Sequence, residues 1–206
     1  MLETDKKRDL IIEGAIKRFT HYGINKTTMN EIADDLSVSK PSLYYYFPDK
    51  VSLILGVVSK IFDDYFEALP KDTTKMDLET TLITFIEIKH KFFQKYFLMH
   101  LSAGTGDFSF NSDEIRNHVN QMKQKDRDLH AELFRQGMDR GELAPGDPKN
   151  LAELYQDSQA GITSLCIMNG NKELMPSKKA LKAILEKQLE LSKIFIKGLS
   201  ISKQAQ

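Results

Sequence analysis

Residues 27–50 decide the fold of this chain, and they read TTMNEIADDLSVSKPSLYYYFPDK. Thr28 and Glu31 have the spacing of a capping box, in which each side chain satisfies a free backbone N–H at the start of a helix. Ser39 caps a second short helix. Pro48 ends that helix, because the residue before a proline is pushed out of the helical region. The stretch therefore predicts two short helices joined by a tight turn, the dimensions of a helix-turn-helix.

The second helix of this pair presents two chemically different faces. At 100° per residue, Leu43, Tyr46 and Phe47 share one side, which favours burial. The other side and its flanks carry small, hydroxylated, aromatic and basic groups, namely Lys40, Pro41, Ser42, Tyr44 and Tyr45. Such groups suit a DNA major groove, with hydroxyls and a lysine on phosphates or base edges and ring edges against thymine methyls. An aromatic core cluster is the alternative, and helix phase disfavours it for Tyr44 and Tyr45.

A wider pattern of residues surrounds this stretch. It consists of Phe19, Tyr22 and Gly23, then residues 27–33 and 38–50, then Leu53. Over about residues 5–65 this pattern resembles the TetR family of bacterial transcriptional regulators. Residues 141–148 and the two closing helices match that family only loosely. The resemblance implies a helix-turn-helix DNA-binding domain at residues 1–48 and an effector-binding and dimerisation domain at residues 49–206.

The same resemblance implies which residues contact DNA. They are Thr27, Thr28, Ser39, Lys40, Pro41, Ser42, Tyr44, Tyr45, Tyr46 and Lys50. Lys50 would neutralise a phosphate beside the N-terminus of the fourth helix, a position that already favours anions. One departure concerns Ser37, which occupies the turn position where the family usually has glycine. If the backbone is left-handed there, serine costs about 1 kcal/mol.

Helical periodicity continues through the rest of the chain. Its 6 prolines and 11 glycines lie almost entirely between helix-period segments, and strand-type alternation is missing. The prediction is an all-α protein of about nine helices. Eight segments are predicted with their caps at about residues 4–22, 28–36, 39–47, 49–69, 74–101, 112–141, 147–169 and 177–199, and residues 104–111 form a loop or a short helix.

Composition limits the function classes. The 206 residues include one cysteine, which excludes an intramolecular disulfide and a cysteine-rich zinc module. A polar N-terminus without a signal sequence, and no apolar run of membrane-spanning length, predict a cytoplasmic protein that does not bind membranes. The 29 basic and 29 acidic residues balance, which taken alone argues against a nucleic-acid binder.

The charges are distributed unevenly along the chain. Residues 1–50 are neutral in sum, residues 51–171 are acidic, and residues 172–206 carry eight basic and three acidic groups. Apolar residues at helical spacing in that last segment favour an amphipathic helix with solvated lysines over a basic DNA-binding tail. A DNA-binding domain with no net charge can still bind DNA through a few correctly positioned side chains. We then expect few phosphate contacts per domain and reliance on dimerisation for affinity.

Catalytic and metal sites are disfavoured. The five histidines are His21, His90, His100, His118 and His130, and none lies in an HExxH pattern. Asp126 and His130 share a helix face but lack an evident third ligand, so a solvated helix surface is favoured for them. Neither a nucleophile–base pair nor a glycine-rich phosphate loop can be placed. The sequence therefore predicts no enzyme, no metal and no cofactor.

The second domain offers candidates for an effector site, because clefts between the helices of a bundle are natural ligand sites. The ligand-binding candidates are Phe62, Phe66, Phe92, Phe93, Tyr96, Met99, His100, Phe134, Met138, Tyr155 and Gln159. Ordinary core packing is the alternative for any single one of them. His100, Ser158 and Gln159 would fix the polar groups of a small, largely apolar ligand.

The last two helices carry apolar stripes that predict a homodimer through a four-helix bundle. The interface candidates are Leu151, Leu154, Gly161, Ile162, Leu165, Leu181, Ile184, Leu185, Gln188 and Leu189. Packing within the same chain is the alternative, and each helix is expected to do both.

These expectations combine into one function. The chain is predicted to be a DNA-binding transcriptional regulator, a repressor that a small-molecule effector releases from an inverted-repeat operator. The alternative is a helical small-molecule-binding or enzymatic protein with a vestigial helix-turn-helix.

Overall fold

The computed structural model describes residues 3–97, 99, 112–168 and 176–201. Within these residues the chain forms eight helices, and the only extended pairing is an isolated bridge between Leu143 and Ser200. The helices are α1 (Glu3–Tyr22), α2 (Met29–Asp35), α3 (Lys40–Tyr46), α4 (Lys50–Ala68), α5 (Leu78–Lys95), α6 (Asp113–Asp139), α7 (Pro148–Met168) and α8 (Lys178–Leu199). The all-α prediction is confirmed, with a helix count close to nine. Residues 104–111 lie outside the described residues.

Side-chain caps begin the helices where the sequence predicted them. The Thr28 hydroxyl accepts from the Glu31 backbone N–H, and the Glu31 carboxylate accepts from the Thr28 N–H, which completes the capping box of α2. Ser39, Ser112 and Ser177 each accept from the N–H three residues on, at 3.1–3.3 Å. These bonds satisfy donors that a helix start leaves unpaired.

The predicted start of α5 at Thr74 is wrong. Asp72 accepts hydrogen bonds from both the backbone N–H and the hydroxyl of Thr74, which holds that residue in a turn. The Asp77 carboxylate then accepts from the Thr80 N–H at 2.7 Å, so Asp77 is the cap and the helix begins at Leu78. Two competing cap residues, five positions apart, left this boundary ambiguous in the sequence.

The chain divides into two compact units. Unit 1 contains residues 1–67 and 92–121, and unit 2 contains residues 68–91 and 122–206. These units are defined by packing, whereas the predicted division at residue 48 concerns function and stays a prediction.

Unit 1 contains the predicted helix pair and buries its apolar faces. Ala33 of α2, which is fully buried, and Leu43 of α3 belong to one apolar core, together with Phe19 of α1. Phe47 follows α3 and is also buried there. A Cβ on Gly56 of α4 would lie 3.1 Å from the Phe47 ring, so α4 passes this ring at close range. Packing from three helices therefore fixes the rotation of α3 about its own axis.

The junction between α3 and α4 is three residues long. The Phe47 N–H donates to the Leu43 carbonyl at 3.0 Å. Pro48 has a fixed φ. The Asp49 carboxylate accepts from the Ser52 N–H at 2.7 Å, and the Ser52 hydroxyl in turn lies 3.3 Å from the Asp49 nitrogen. Each junction residue is thus restrained by burial, ring closure or a cap.

The turn between α2 and α3 has the backbone strain that the sequence raised as a possibility. Ser37 has a φ of +52°, which lies in the left-handed region. The turn closes through bonds from the Ser37 N–H to the Asp34 carbonyl and from the Val38 N–H to the Ala33 carbonyl, at 3.1 and 3.0 Å. The turn is therefore closed by hydrogen bonds on both sides while Ser37 adopts the strained conformation.

Unit 2 has a core that mixes apolar and polar side chains. Phe85, Phe134 and Tyr155 are its large buried rings. Asp126 and His130, predicted on a solvated helix surface, are both buried, so that prediction is wrong. The Asp126 carboxylate accepts from Lys89 at 2.7 Å, which is how its charge is tolerated away from water.

His130 is enclosed by rings and polar groups of unit 2. Its ring centroid lies 5.7 Å from that of Phe85 and 5.9 Å from that of Tyr155. Its Nδ1 atom lies 2.8 Å from both the Asp126 carbonyl and Gln156 Nε2. Burial lowers the pKa of His130, and it also lowers the pKa of His90, because removal from water disfavours the charged imidazole.

Replacing Ser37 with glycine should stabilise the chain. Glycine adopts a positive φ without the Cβ clash, although its unfolded state is more flexible, so we expect Ser37→Gly to raise the free energy of unfolding by up to about 1 kcal/mol. Urea unfolding measures the change. Ser37→Val is the matched control, because a β-branched residue is strained further there and should lower the same free energy. Equal stability of the two variants would contradict the assignment of strain to this turn.

The buried histidines predict loss of stability in mild acid. Since the folded pKa of His130 lies below its ordinary value of 6.5, the unfolded chain binds a proton first as the pH falls. The free energy of unfolding should therefore decline below about pH 6.5, approaching about 1.4 kcal/mol per pH unit for each histidine that stays neutral. Urea unfolding at pH 7.5 and 5.5 should show a smaller decline for His130→Gln, and the exposed His21→Gln should match the parent. An unchanged decline in His130→Gln would refute the prediction.

Candidate nucleic-acid interface

The outward face of α3 presents aromatic, basic and hydroxyl groups to solvent. Tyr45 is 77% exposed and Tyr44 is 44% exposed, and Lys40 and Pro41 are also exposed. Leu43, on the opposite face, is completely buried. The helix phase thus separated the outward tyrosines from the core correctly, because two buried side chains one turn apart, Leu43 and Phe47, orient the whole helix.

Tyr46 occupies the boundary between these faces. It is half-buried and packs against the unit 1 core, and its ring meets the Tyr45 ring edge-on at a centroid distance of 5.1 Å. Edge-to-face contact restrains both rings. Tyr45 is therefore presented to solvent with its ring supported from one side.

Three hydroxyl side chains lie in the first turns or caps of α2 and α3. Ser39 is exposed while it caps α3, and Ser42 is half-buried. Thr28 is exposed at the start of α2, and its hydroxyl donates to the Glu31 carboxylate at 2.9 Å. Hydrogen bonds from Thr28 are the main reason that the pKa of Glu31 lies below its usual value. These groups present helix N-termini as well as hydroxyls, and helix N-termini attract anions.

Thr27 does not belong to the exposed set. Its side chain is completely buried, and the hydroxyl donates to the Gly23 carbonyl at 2.9 Å. This bond ties Thr27 to the end of α1 and favours a structural role for its side chain, and the predicted DNA contact of Thr27 stays a prediction.

Lys50 has a structural bond that the sequence did not reveal. It is half-buried, and its ammonium donates to the Ile24 carbonyl at 2.7 Å. This bond fastens the loop after α1 to the start of α4. An ammonium carries three donors, so the predicted phosphate contact of Lys50 stays a prediction.

Two arginines of α1 make contacts that no spacing in the sequence indicates, and Arg8 is one of the basic residues, with Lys6 and Lys7, that the sequence offers for DNA binding near the start of the first helix. The Arg8 guanidinium lies 5.2 Å from the centroid of the Phe47 ring, which brings an exposed cation close to α3. Arg18 pairs with Glu31 at 2.9 Å and with Asp35 at 2.7 Å. Only the tertiary fold brings these residues together, since their separation in sequence follows no helical spacing.

The predicted ligand-binding residues fall into two sets, one in each unit. The unit 1 set contains Phe62, Phe66, Phe92, Phe93, Tyr96 and Met99. Phe92 links several of its rings, at 5.8 Å from the buried Tyr65, which the sequence had not selected, and 6.0 Å from Tyr96. The unit 2 set contains Phe134, Met138, Tyr155 and Gln159. His100 lies outside the described residues.

Polar groups accompany the rings of unit 2. The Tyr155 hydroxyl lies 2.8 Å from Ser192 Oγ, and Gln159 Nε2 lies 3.0 Å from the same atom. Burial raises the pKa of Tyr155 to about 12, so its hydroxyl stays protonated at neutral pH. Ring surfaces and hydrogen-bonding groups thus lie side by side, as is typical of ligand sites.

A serine–histidine pair joins α4 and α6 within unit 1. The Ser59 hydroxyl lies 2.8 Å from His118 Nε2, a juxtaposition that the sequence did not reveal. Such a pair becomes a nucleophile and base only when a third group orients the ring. In the part of the chain that the structure describes, the other ring nitrogen of His118 has no recorded partner.

Helices α7 and α8 expose apolar side chains. Leu154 and Leu165 are 54% and 60% exposed, and Met168 and Ile194, which the sequence had not selected, are exposed as well. The other predicted interface residues except Ile184 are half-buried. Ile184 is buried by its own chain, which fits the same-chain packing expected beside the interface, and its place in a dimer interface stays a prediction. In the sequence, Ile184 has the same helical spacing as the other apolar residues of α8, so the spacing did not distinguish it from them.

Neither a membrane span nor a metal cluster is found in the described residues. No helix among them is long and apolar enough to cross a membrane. No group of three or more His, Cys, Asp or Glu side chains is placed there to hold a metal ion.

Comparison with known proteins places this interface in context. Residues 11–57 match the family model described as "Bacterial regulatory proteins, tetR family". The chain is 38% identical over 76 residues to an uncharacterised HTH-type transcriptional regulator of Bacillus subtilis, YuxN. That match covers 37% of this chain and 26% of the relative, so it spans about a quarter of the relative's length.

Two further comparisons extend the likeness over more of the chain. The chain is 26% identical over 151 residues to the HTH-type transcriptional regulator RutR of Escherichia coli K12, covering 70% of this chain and 68% of RutR. Its fold is similar to the crystal structure of a transcriptional regulator from Cytophaga hutchinsonii, with a TM-score of 0.82 and 28% identity. That likeness covers 95% of this chain and 99% of the other.

Proposed function

We propose that this chain is a member of the tetR family of bacterial regulatory proteins and that it represses transcription as a cytoplasmic homodimer, because residues 11–57 match that family's model and the fold is similar to a solved transcriptional regulator. The observation that carries the proposal is the outward face of α3, where exposed tyrosines stand beside a lysine on a helix whose rotation is fixed. In this proposal each copy places α3 in the major groove of one half of an inverted repeat. A dimer seated there blocks access to the promoter.

The residues of the interface take different roles in this proposal. Lys40 bonds a phosphate or a guanine, and Tyr44 and Tyr45 contact base edges or thymine methyls. The caps at Thr28 and Ser39 direct helix N-termini toward the backbone phosphates. Arg8 adds a cation near the rim of α3. This short set of charges accords with the neutral charge of residues 1–50 and predicts weak non-specific binding.

The apolar side of α7 supports the homodimer. Leu154, Gly161, Leu165 and Met168 follow one another at spacings of seven, four and three, which places them on one face of the helix. A Cβ on Gly161 would meet nothing within 4 Å, so the middle of this face is open. A partner helix can approach closely there, and two copies of one face form an isologous contact.

The release from DNA is proposed to come from a small effector. Aromatic rings together with the buried polar groups of unit 2 support a largely apolar ligand. The effector would favour a separation of the two heads that no longer fits both half-sites, so operator affinity falls. We assign no enzymatic role to the chain, in keeping with a family of regulators.

Substitutions on α3 test the DNA-binding role. We expect Tyr45→Ala and Lys40→Ala each to weaken operator binding by about 10- to 100-fold. Each lost phosphate contact should also lower the slope of log affinity against log salt by about 0.9, an effect expected for Lys40→Ala alone. Genomic fragment selection first provides the operator, and fluorescence anisotropy at several salt concentrations measures affinity.

The matched control for these substitutions is Tyr22→Ala, an exposed tyrosine at the end of α1. It should leave operator affinity unchanged. Failure to enrich any inverted repeat, or equal losses in all three variants, would count against α3 as the DNA-reading helix.

A charge on the apolar side of α7 tests the homodimer. Leu165→Glu places a carboxylate at the contact twice per dimer, so we expect the dissociation constant of the dimer to rise by at least about 100-fold. Sedimentation velocity over a concentration series measures it. Leu10→Glu, at a half-exposed leucine of α1, is the control and should leave the dimer intact. A monomeric parent, or a dimer that survives Leu165→Glu, would show that this face is not the interface.

A further inference from the structure

A row of neutral polar side chains joins α7 to α8 inside unit 2. Ser192 Oγ donates to the Gln188 carbonyl at 2.9 Å, which uses its one proton. It therefore accepts from the Tyr155 hydroxyl at 2.8 Å and from Gln159 Nε2 at 3.0 Å. Gln188 Nε2 donates to the backbone carbonyl of Gln159 at 3.3 Å and to the Thr163 hydroxyl at 3.1 Å. The direction of every bond in the row is thereby determined.

These bonds also determine which way the Gln159 amide faces. Nε2 donates to the Gln188 carbonyl at 3.2 Å as well as to Ser192. Exchanging the amide nitrogen and oxygen would place Oε1 against a carbonyl oxygen, which has no proton to give. The amide is therefore oriented with Nε2 toward α8, and Oε1 is directed elsewhere.

Gln159 Oε1 is an acceptor without a donor. The residue is only 9% exposed, and among the described residues no hydrogen-bond partner reaches this atom. A buried acceptor left unpaired costs about 1–3 kcal/mol, whereas the great majority of buried polar atoms in proteins are paired. A donor supplied from outside the chain would remove that cost, which makes the atom a natural point of attachment.

The neighbourhood of this atom selects the chemistry of the donor. Tyr155 connects the polar row to aromatic rings, at centroid distances of 5.3 Å to Phe195 and 5.8 Å to Phe134. The row itself contains only amides and hydroxyls. A charged ligand would lose its hydration there without gaining a counter-charge.

We propose that Gln159 Oε1 accepts a hydrogen bond from the O–H or N–H group of a small neutral ligand whose apolar body packs beside the Tyr155 ring. The ligand class is thus an uncharged, largely apolar molecule with one donor, such as a phenol or a lactam. The site lies wholly within unit 2. Its role as the effector site rests on the proposed repressor function, but binding itself does not.

Two probes, one with an O–H donor and one without, test the site. Phenol has the donor, and anisole has a methyl group in its place. Isothermal titration of the full chain should show phenol binding about tenfold more tightly than anisole, the value of one hydrogen bond to a buried acceptor. Gln159→Met keeps the length of the side chain and removes the acceptor, so the preference should vanish. Gln156→Met is the same change three residues earlier on α7, and this variant should keep the preference for phenol over anisole.

A structure with phenol keeps the proposal falsifiable if Gln159→Met does not fold. The phenol oxygen of the parent complex should lie within hydrogen-bond distance of Oε1. An ordered water at that position with phenol absent, or equal affinities of the parent for phenol and anisole, overturns the proposal.

Operator binding separates this proposal from the proposed function. Phenol preference without any effect of phenol on operator affinity would leave the site standing and remove its effector role. Loss of operator binding in the parent chain would contradict the repressor and leave the titration result unaffected.

Discussion

The burial of Leu43 and Phe47 is the interaction on which the proposed interface depends. The two side chains lie one turn apart at the same side of α3, and both belong to the unit 1 core. Gly56 passes the Phe47 ring on α4, and the Arg8 guanidinium lies over the same ring. With that side fixed, Tyr44 and Tyr45 have to face solvent. The orientation of the outer face is thus a consequence of apolar packing on the inner one.

Local signals in the sequence were sufficient for the helices and for most of their starts, but not for the start of α5. The capping box at Thr28 and Glu31 and the caps at Ser39 and Ser177 depend on residues three positions apart, so a pattern contains all the information needed. Side-chain environments depend on distant residues instead. Asp126 looked solvated because Lys89, its partner at 2.7 Å, is 37 positions away.

The candidate site residues also divide into those that local spacing predicts and those that depend on distant contacts. The outward tyrosines of α3 followed from helix phase, whereas the burial of Thr27 and Ile184 followed from packing that no spacing encodes. The unpaired oxygen of Gln159 is harder still to predict from the sequence, since it depends on the donors and acceptors of two helices at once.

The two units also differ in the polarity of their cores. In the described residues Thr27 is the only buried polar side chain of unit 1, whereas unit 2 buries Thr81, His90, Asp126, His130, Gln159 and Ser192. Buried polar groups trade stability for chemical selectivity, which suits the ligand site proposed in unit 2 and is not required by the DNA-binding role proposed for unit 1.

The short junction at residues 47–49 gives the head a mechanical property. Phe47 is locked by packing, Pro48 by its ring, and Asp49 by reciprocal bonds with Ser52. Because these three residues restrain the rotation between the helices, α3 and the first turns of α4 are expected to move together. A tilt of α4 would then be transmitted to the exposed tyrosines of α3.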